Sequence, residues 1–503
     1  MMPPILRLGV RVGALCTLLT SSAGCRPESS ALPPLPPKVD ALTKPQPGEV
    51  RPLREAIVTW TAGVRGEVEA CGCPTVPYGG LDRRARLLTA LRRLDVPVFT
   101  LDAGDMLVKG TMARGDAERR ERATVMLDLM RGLSLDAWAP SSADRVPGGP
   151  DLLQGTGAIS ATWPGFSGAV VLERGGFRLG VAGVAGGGEG DAVAAVSRAI
   201  KAAEGVQPAD LWVLLANADR ATQLRLARGL PGLGAILGEH DLEGGPVPVL
   251  GVPDRGRYVG ILHVALGSAP GPLRVEEEGP LTHLAAQRLR VALSSDADWE
   301  GQQRLPSLRE RVAGEGSGFN LAYVERRPLG SDLDGASVLD DRLARLRVDS
   351  TRAAQSRADT RPSGYVSGAA CVRCHSDFFA AWSYSPHAQA FGSLIERKAT
   401  TNPECLPCHT TGYGQPGGFG EPTTDNLSRF KAVQCEGCHG PLAGHPDTMG
   451  GGAAHRAPVE ATCLECHDEA NSPQFDYPRY LRGVSCVQVR LAREESTVPP
   501  TLK

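Results

Sequence analysis

Four copies of one five-residue pattern carry most of the chemistry legible in this chain. They are Cys371-Val-Arg-Cys374-His375, Cys405-Leu-Pro-Cys408-His409, Cys435-Glu-Gly-Cys438-His439 and Cys463-Leu-Glu-Cys466-His467. Two cysteines three positions apart can form thioethers to both vinyl groups of one porphyrin. The histidine that follows then lies beneath the iron as its proximal ligand. Paired CxxC motifs also build tetrahedral zinc sites, but zinc ribbons do not require a histidine after every second cysteine, and here all four pairs have one. The pattern predicts four covalently attached haem c groups. Cys371, Cys374, Cys405, Cys408, Cys435, Cys438, Cys463 and Cys466 would attach them, and His375, His409, His439 and His467 would ligate the irons proximally.

Composition points the same way. Of the 119 residues from Tyr365 to Gly483, only 12 are Ile, Leu, Val or Met. Protein that poor in aliphatics buries too little apolar area to offset its ordering entropy, so the macrocycles are expected to serve as its core. Seven of the chain's 10 histidines lie in this segment, and after four proximal ligands His387, His445 and His455 remain for distal faces. Three haems would then carry two histidines, while one would have a sixth position open or filled by Met449 or another group. Paired histidines favour electron transfer, and an open position admits a small ligand. The alternative for each distal candidate is an ordinary surface histidine.

Specific runs add a resemblance. Tyr365-Val-Ser-Gly-Ala-Ala-Cys371, Trp382-Ser-Tyr-Ser-Pro-His387-Ala-Gln-Ala, Cys408-His409-Thr-Thr-Gly412 and Val433-Gln-Cys435-Glu-Gly-Cys438-His439-Gly-Pro441, with His445 after them, resemble the tetrahaem cytochrome c family of ammonia oxidation. The resemblance implies that His387 and His445 are distal ligands and that one haem of four is five-coordinate. Phe475-Asp-Tyr-Pro-Arg-Tyr480-Leu is similar to a stretch of lipoprotein relatives that often continues to a histidine, where this chain has Cys486.

The elements that must position these groups come earlier. Residues 1–24 read as a lipoprotein signal peptide: Arg7 and Arg11, a short apolar run, then Ser22-Ala23-Gly24-Cys25. The run is too short to span a bilayer. Cleavage there would leave Cys25 lipidated, with a plain secretory signal as the alternative. Residues 25–53 are a proline-rich, semi-rigid tether. Residues 54–280 alternate strand-like and helix-like stretches, among them Glu55–Trp60, Gly79–Leu94, Val96–Leu101, Phe177–Val184 and Asp210–Leu215. These predict parallel strands layered with helices. Residues 281–360 read as a charged helical connector, with helical stretches around 284–312 and 336–358. Residues 361–486 form the haem domain, mainly helix and loop, and 487–503 a tail.

The 54–280 segment resembles the metal-dependent phosphoesterase fold of 5′-nucleotidase type. The landmarks are Ala70-Cys71-Gly72-Cys73, Gly79-Gly80-Leu81-Asp-Arg-Arg-Ala85 and Leu101-Asp102-Ala-Gly104-Asp105. The resemblance implies two metals clamped by Asp, His and Asn, yet most ligand boxes are changed. Thr59-Trp60-Thr61 stands for Asp-x-His, Pro140-Ser-Ser-Ala-Asp144 for the Asn-His box, and Leu215-Ala216-Asn217 for a strand ending in histidine. Gly238-Glu-His240-Asp241 keeps one histidine, and Asp105 is retained. The fold is expected to persist without the hydrolase.

Net charge is −2, which gives no reason to expect a nucleic-acid partner. Cys71, Cys73 and Cys486 are left over from thirteen cysteines as free thiols, metal ligands or a partial disulfide. His263 and His283 read as structural. The chain is thus expected to be an electron carrier of the bacterial periplasm or cell envelope, lipid-anchored and meeting redox partner proteins. One alternative is a haem oxidoreductase acting on a small nitrogen compound, and another is a phosphoesterase linked to a cytochrome.

Overall fold

The computed structural model describes residues 54–71, 78–108, 116–146, 148–185, 191–253, 255–267, 272–276, 280–293, 320–360, 363–397, 399–448, 458–468, 471–472 and 474–497. The expected leader and tether, Cys25, Cys73, Met449 and His455 lie outside them.

Apolar runs bounded by turns form two sheets in the N-terminal part. The first contains β1 (Arg54–Thr61), β4 (Val98–Asp102), β5 (Ala137–Trp138), β11 (Tyr258–Leu266), β12 (Arg274–Glu276) and β13 (Leu321–Pro328), ordered β12-β13-β11-β1-β4-β5. The second holds β6 (Ala169–Arg174), β7 (Phe177–Gly183), β8 (Leu211–Leu215), β9 (Ala235–Gly238) and β10 (Val249–Gly251), ordered β10-β9-β8-β7-β6. A short ribbon pairs β2 (Ala70–Cys71) with β3 (Tyr78–Gly79).

β1 is buried from Ala56 onward on both faces, as a central strand between two layers must be. Alternate residues face opposite ways. Val58, Trp60, Phe99, Leu101 and Leu262 meet Phe177, Leu179, Val213, Leu215 and Leu237 between the sheets. On the outer face, Ile57, Val98 and Ile261 pack against helices α1 (Leu81–Leu91) and α6 (Pro280–Leu293). Also on the first sheet's side lie α2 (Asp116–Gly132) and α3 (Gly149–Leu153). Helices α4 (Ala192–Glu204) and α5 (Arg220–Gly229) cover the second sheet, each started by an aspartate, Asp191 or Asp219, accepting from a backbone N–H.

The layered sheet-and-helix class is as expected, but the strand directions are mixed. β11 runs antiparallel to both β1 and β13, and β6 antiparallel to β7. The stretch expected as a charged connector also differs. It contains β13, an interior strand, and its first helix buries Leu281, Leu284, Ala285 and Leu289. Its second helix, α7 (Asp340–Ala358), is a staple. Leu339 and Leu343 enter the cluster with Met126 and Met130 of α2, while Ala354 at the other end packs with Phe391, Leu394, Leu406, Phe419 and Phe430. Charge on its remaining surface gave the appearance of a solvated spacer.

The C-terminal region is short helices and loops, in keeping with its sparse aliphatics. The expected boundary at residue 486 falls inside a helix, Ser485–Thr497, which lies against helix Ser376–Ser383. No helix among the described residues is long and apolar enough to cross a membrane.

Candidate haem-binding site

Each pentapeptide makes a tight helical turn. The backbone N–H of His375 donates to the Cys371 carbonyl at 2.9 Å, and that of His467 to Cys463 at 2.8 Å. The second and third motifs lie in helices Leu406–His409 and Cys435–His439. Residues three apart on such a turn share a face, which is what two thioethers to one ring need. Glu436, buried inside the third motif, accepts from the N–H groups of Val366, Ser367 and Leu442 at 2.9–3.1 Å. Gln434 accepts from Gly368 at 2.6 Å, so the first and third motifs are tied together.

The thiols pair across motifs. Cys371 hydrogen-bonds Cys435, and Cys408 hydrogen-bonds Cys466. These contacts, reinforced by burial, push the Cys435 and Cys466 thiols up.

The histidines pair as well. His375 and His445 face each other with ring centres 6.5 Å apart and planes 16° from parallel, and His387 faces His467 at 6.1 Å and 59°. Metal–nitrogen bonds of roughly 2 Å place two imidazoles on one ion with ring centres roughly 6 Å apart. Both centre-to-centre distances match that spacing. Burial lowers the pKa of His387, helped by His467, and burial also lowers that of His467, so both favour the neutral form that ligates. His467 Nδ1 meets the Ser472 hydroxyl at 2.8 Å, and His409 Nδ1 meets the Ala390 carbonyl at 2.6 Å. Such bonds fix the ring and leave Nε2 for a metal. Among the described residues, no second histidine ring lies against His409.

One cavity of about 2670 Å³ touches the cysteines and histidine of every motif, together with His387 and His445. Single small-molecule pockets run to about 1,000 Å³, so the space suits several large planar groups. The donor set, ring spacing and chamber all fit haem. Cys486 also lines this chamber, and burial raises its thiol.

The residues standing in for the phosphoesterase ligands make a different constellation. Arg65 donates to Asp105 at 2.6 Å and reaches Glu239 at 3.2 Å, placing a guanidinium between two acids. Thr61 donates to buried Asp102 at 2.5 Å; burial pushes that carboxyl up to about 7. Asp144 accepts from the backbone of Ser141, Asp105, Met106 and Leu107. The Asn217 amide points to the Gly104 carbonyl at 3.4 Å, and His240 is exposed. Gly104 has φ 104, and a Cβ there would lie 2.3 Å from the Ala139 carbonyl, so the turn after β4 demands glycine. His263 is buried on β11, with burial taking its pKa down to about 3, and His283 is exposed; neither faces the chamber.

Residues 370–440 match the family model "Cytochrome c554 and c-prime". The C-terminal segment is thus similar to a cytochrome c, a class with covalently bound haem. Cytochrome c-554 of Nitrosomonas europaea is 31% identical over 86 residues, which is 14% of this chain and 36% of that protein. The chain therefore spans about a third of that curated relative. Across the larger part of the chain the likeness is to solved phosphoesterases. The 5′-nucleotidase precursor of Thermus thermophilus is 16% identical with a TM-score of 0.42, covering 69% of this chain and 68% of that one. The calcineurin-like phosphoesterase YfkN of Bacillus subtilis is 13% identical with a TM-score of 0.41, covering 59% and 98%.

Two contributors escaped sequence reading. Glu436 sits in plain view within the third motif, but its role as a backbone acceptor depends on distant N–H groups. Glu404, beside Cys405, accepts from Val68 and Glu69 of the N-terminal part at 2.8 and 3.0 Å, a contact that no local pattern announces.

Proposed function

We propose that the chain is an exported tetrahaem c-type cytochrome that transfers electrons between redox partner proteins in the bacterial periplasm or cell envelope. Cys25 would be lipidated and hold it to a membrane. The nucleotidase-like part would act as a docking or scaffolding module without hydrolysis. The observation that carries this reading is the pairing of His375 with His445 and of His387 with His467 across one large chamber.

Haem, when bound, supplies one-electron couples. The chain attaches it through the eight motif cysteines and ligates it proximally with His375, His409, His439 and His467. His445 and His387 would close the distal faces of the first and fourth, and His455 remains the candidate for another. Paired histidines keep the ligand set unchanged on electron transfer, which keeps reorganisation small. Close contact between motif thiols supports short spacings for electron hopping. The module's role as scaffold draws support from Arg65, whose cation sits between the acids that remain at the former ligand boxes.

A second reading is favoured by His409, which has no second histidine ring among the described residues. An open position there would suit a haem oxidoreductase acting on a small nitrogen compound. Electron paramagnetic resonance on the oxidised, haem-loaded chain, with and without nitric oxide, separates the two. Four low-spin signals unmoved by the ligand leave an electron carrier. A high-spin signal that nitric oxide abolishes keeps the oxidoreductase reading. Intact mass corresponding to fewer than four haems would sink the tetrahaem assignment.

A further inference from the structure

Motifs two and four are neighbours through Cys408 and Cys466, and the N-terminal part touches both. The loop after β1 gives its Val68 and Glu69 N–H groups to Glu404, the residue before Cys405. Next to them in that loop, Glu67 accepts from Arg255 Nη1 at 2.9 Å. Arg255 belongs to the turn between β10 and β11, and its side chain is only 7% exposed. Its Nη2 lies 3.7 Å from the carboxylate of Asp468, the residue after His467. The backbone of Arg255 has φ 63, in the left-handed region, and its N–H donates to the Gly63 carbonyl at 2.7 Å. A non-glycine residue stays in that conformation only where its surroundings hold it.

Asp468 organises the turn beyond the fourth motif. Its carboxylate accepts from the Asn471 backbone at 2.9 Å and from the Asn471 amide at 3.1 Å, while its carbonyl accepts the Ser472 N–H at 2.7 Å. Ser472 is thereby set against His467, with Oγ 2.8 Å from Nδ1. With Nε2 on a metal, Nδ1 carries the proton and donates to that hydroxyl, which orients the ring and makes it a more basic ligand. Contacts thus run from the nucleotidase-like part to a haem ligand through Glu67, Arg255, Asp468, Ser472 and His467. We propose that Arg255 is a positioning residue for the haem at Cys463 and Cys466, holding Asp468 so that Ser472 stays on His467 Nδ1. The nucleotidase-like part then tunes the potential of a haem it does not attach. This rests on the reading that those cysteines carry haem.

The test compares full-length, haem-loaded wild type with Ser472→Ala, Arg255→Gln and the double variant. Peptide mass spectrometry across Cys463–Cys466 is read first. A peptide without haem mass there removes the underlying assignment and the inference with it, whereas haem-bearing protein that fails the titration sinks the inference alone. Potentials are followed by spectroelectrochemical titration resolved by electron paramagnetic resonance. Losing the Nδ1 bond makes the ring a poorer donor and favours reduced iron. Ser472→Ala is expected to raise the reduced-to-oxidised ratio of one haem about tenfold at fixed potential, an upward shift of about 59 mV for one electron. The direct effect of the Arg255 charge is common to both serine and alanine forms and cancels in the cycle. In the Arg255→Gln background the bond is already lost, so Ser472→Ala should change that ratio by less than about twofold. The same shift in both backgrounds would overturn the proposal, as would a Ser472→Ala protein with every potential unmoved. Arg255→Lys keeps the cation but not the two-pronged grip on Glu67 and Asp468. It repeats the comparison if the Gln variant fails to load its haems, and the same two results decide it.

Discussion

The Glu404 carboxylate receives the backbone N–H groups of Val68 and Glu69, one on each oxygen, and so fastens the second haem motif to the loop after β1. Burial pushes this carboxyl from 4.5 to about 8, and Glu69 and Glu67 add repulsion. Its counterpart on the other side is α7, where Arg347 grips Glu69 through two bonds of 2.6 and 2.8 Å.

A carboxyl whose pKa is higher folded than unfolded binds more protons in the native state. Its contribution to stability is complete below the unfolded value of 4.5 and is lost as pH rises towards about 8. Thermal unfolding of the haem-loaded chain should therefore show a stability decline over that window that Glu404→Gln, uncharged throughout, lacks. Parallel pH profiles for the two proteins would refute the assignment of the slope to Glu404.

His445→Ala should leave the His375 haem without its second histidine and convert one haem from low to high spin. His387→Ala should do the same to the His467 haem. The check is electron paramagnetic resonance together with carbon monoxide binding by the reduced protein, and each variant should gain about one equivalent of bound ligand. If either variant stays wholly low-spin, that histidine is an ordinary neighbour, and the 6.5 or 6.1 Å approach is packing.

The four Cys-x-x-Cys-His motifs were legible because each is local, lying within five residues. Strands β1, β4, β7 and β8 were legible as apolar runs. β13 was not, because Glu325-Arg326-Arg327 interrupts its pattern. The two arginines are tolerated by specific partners: Arg327 pairs with Asp332, and Arg326 with Asp241. The approach of His445 to His375 and of His387 to His467 was likewise hidden. It depends on chain returns of 70 and 80 residues, fixed by groups such as Glu436 and by the Trp382 indole, which donates to the Val433 carbonyl at 2.8 Å.

Asp144 occupies the box where the phosphoesterase resemblance expects a metal-binding group, but four backbone N–H groups already surround it. Asp144→Ala would leave several buried donors unmet at about 1–3 kcal/mol each. A destabilisation on the order of 4 kcal/mol or more is expected by denaturant titration. Asp144→Asn, which keeps one accepting oxygen, should fall between. A change below about 0.5 kcal/mol for Asp144→Ala would contradict the structural role.

The same part of the molecule yields a prediction about catalysis. Two-metal hydrolysis needs a full ligand set to hold the ions and generate the nucleophile. Here Arg65 stands between Asp105 and Glu239, and a divalent ion seated by those acids would have to displace or repel a guanidinium. The test requires the whole chain, since a fragment ending at residue 280 would lose β13 from the interior of the first sheet. Full-length protein given Mn²⁺ or Zn²⁺ should hydrolyse neither p-nitrophenyl phosphate nor a nucleoside monophosphate above the metal-only control, and isothermal titration should find no pair of tight divalent sites. Arg65→Ala should be less stable than wild type, because it leaves Asp105 and Glu239 without their shared cation. Metal-dependent turnover in the wild-type chain would restore the phosphoesterase reading, and it would show that ligands other than the expected boxes hold the ions.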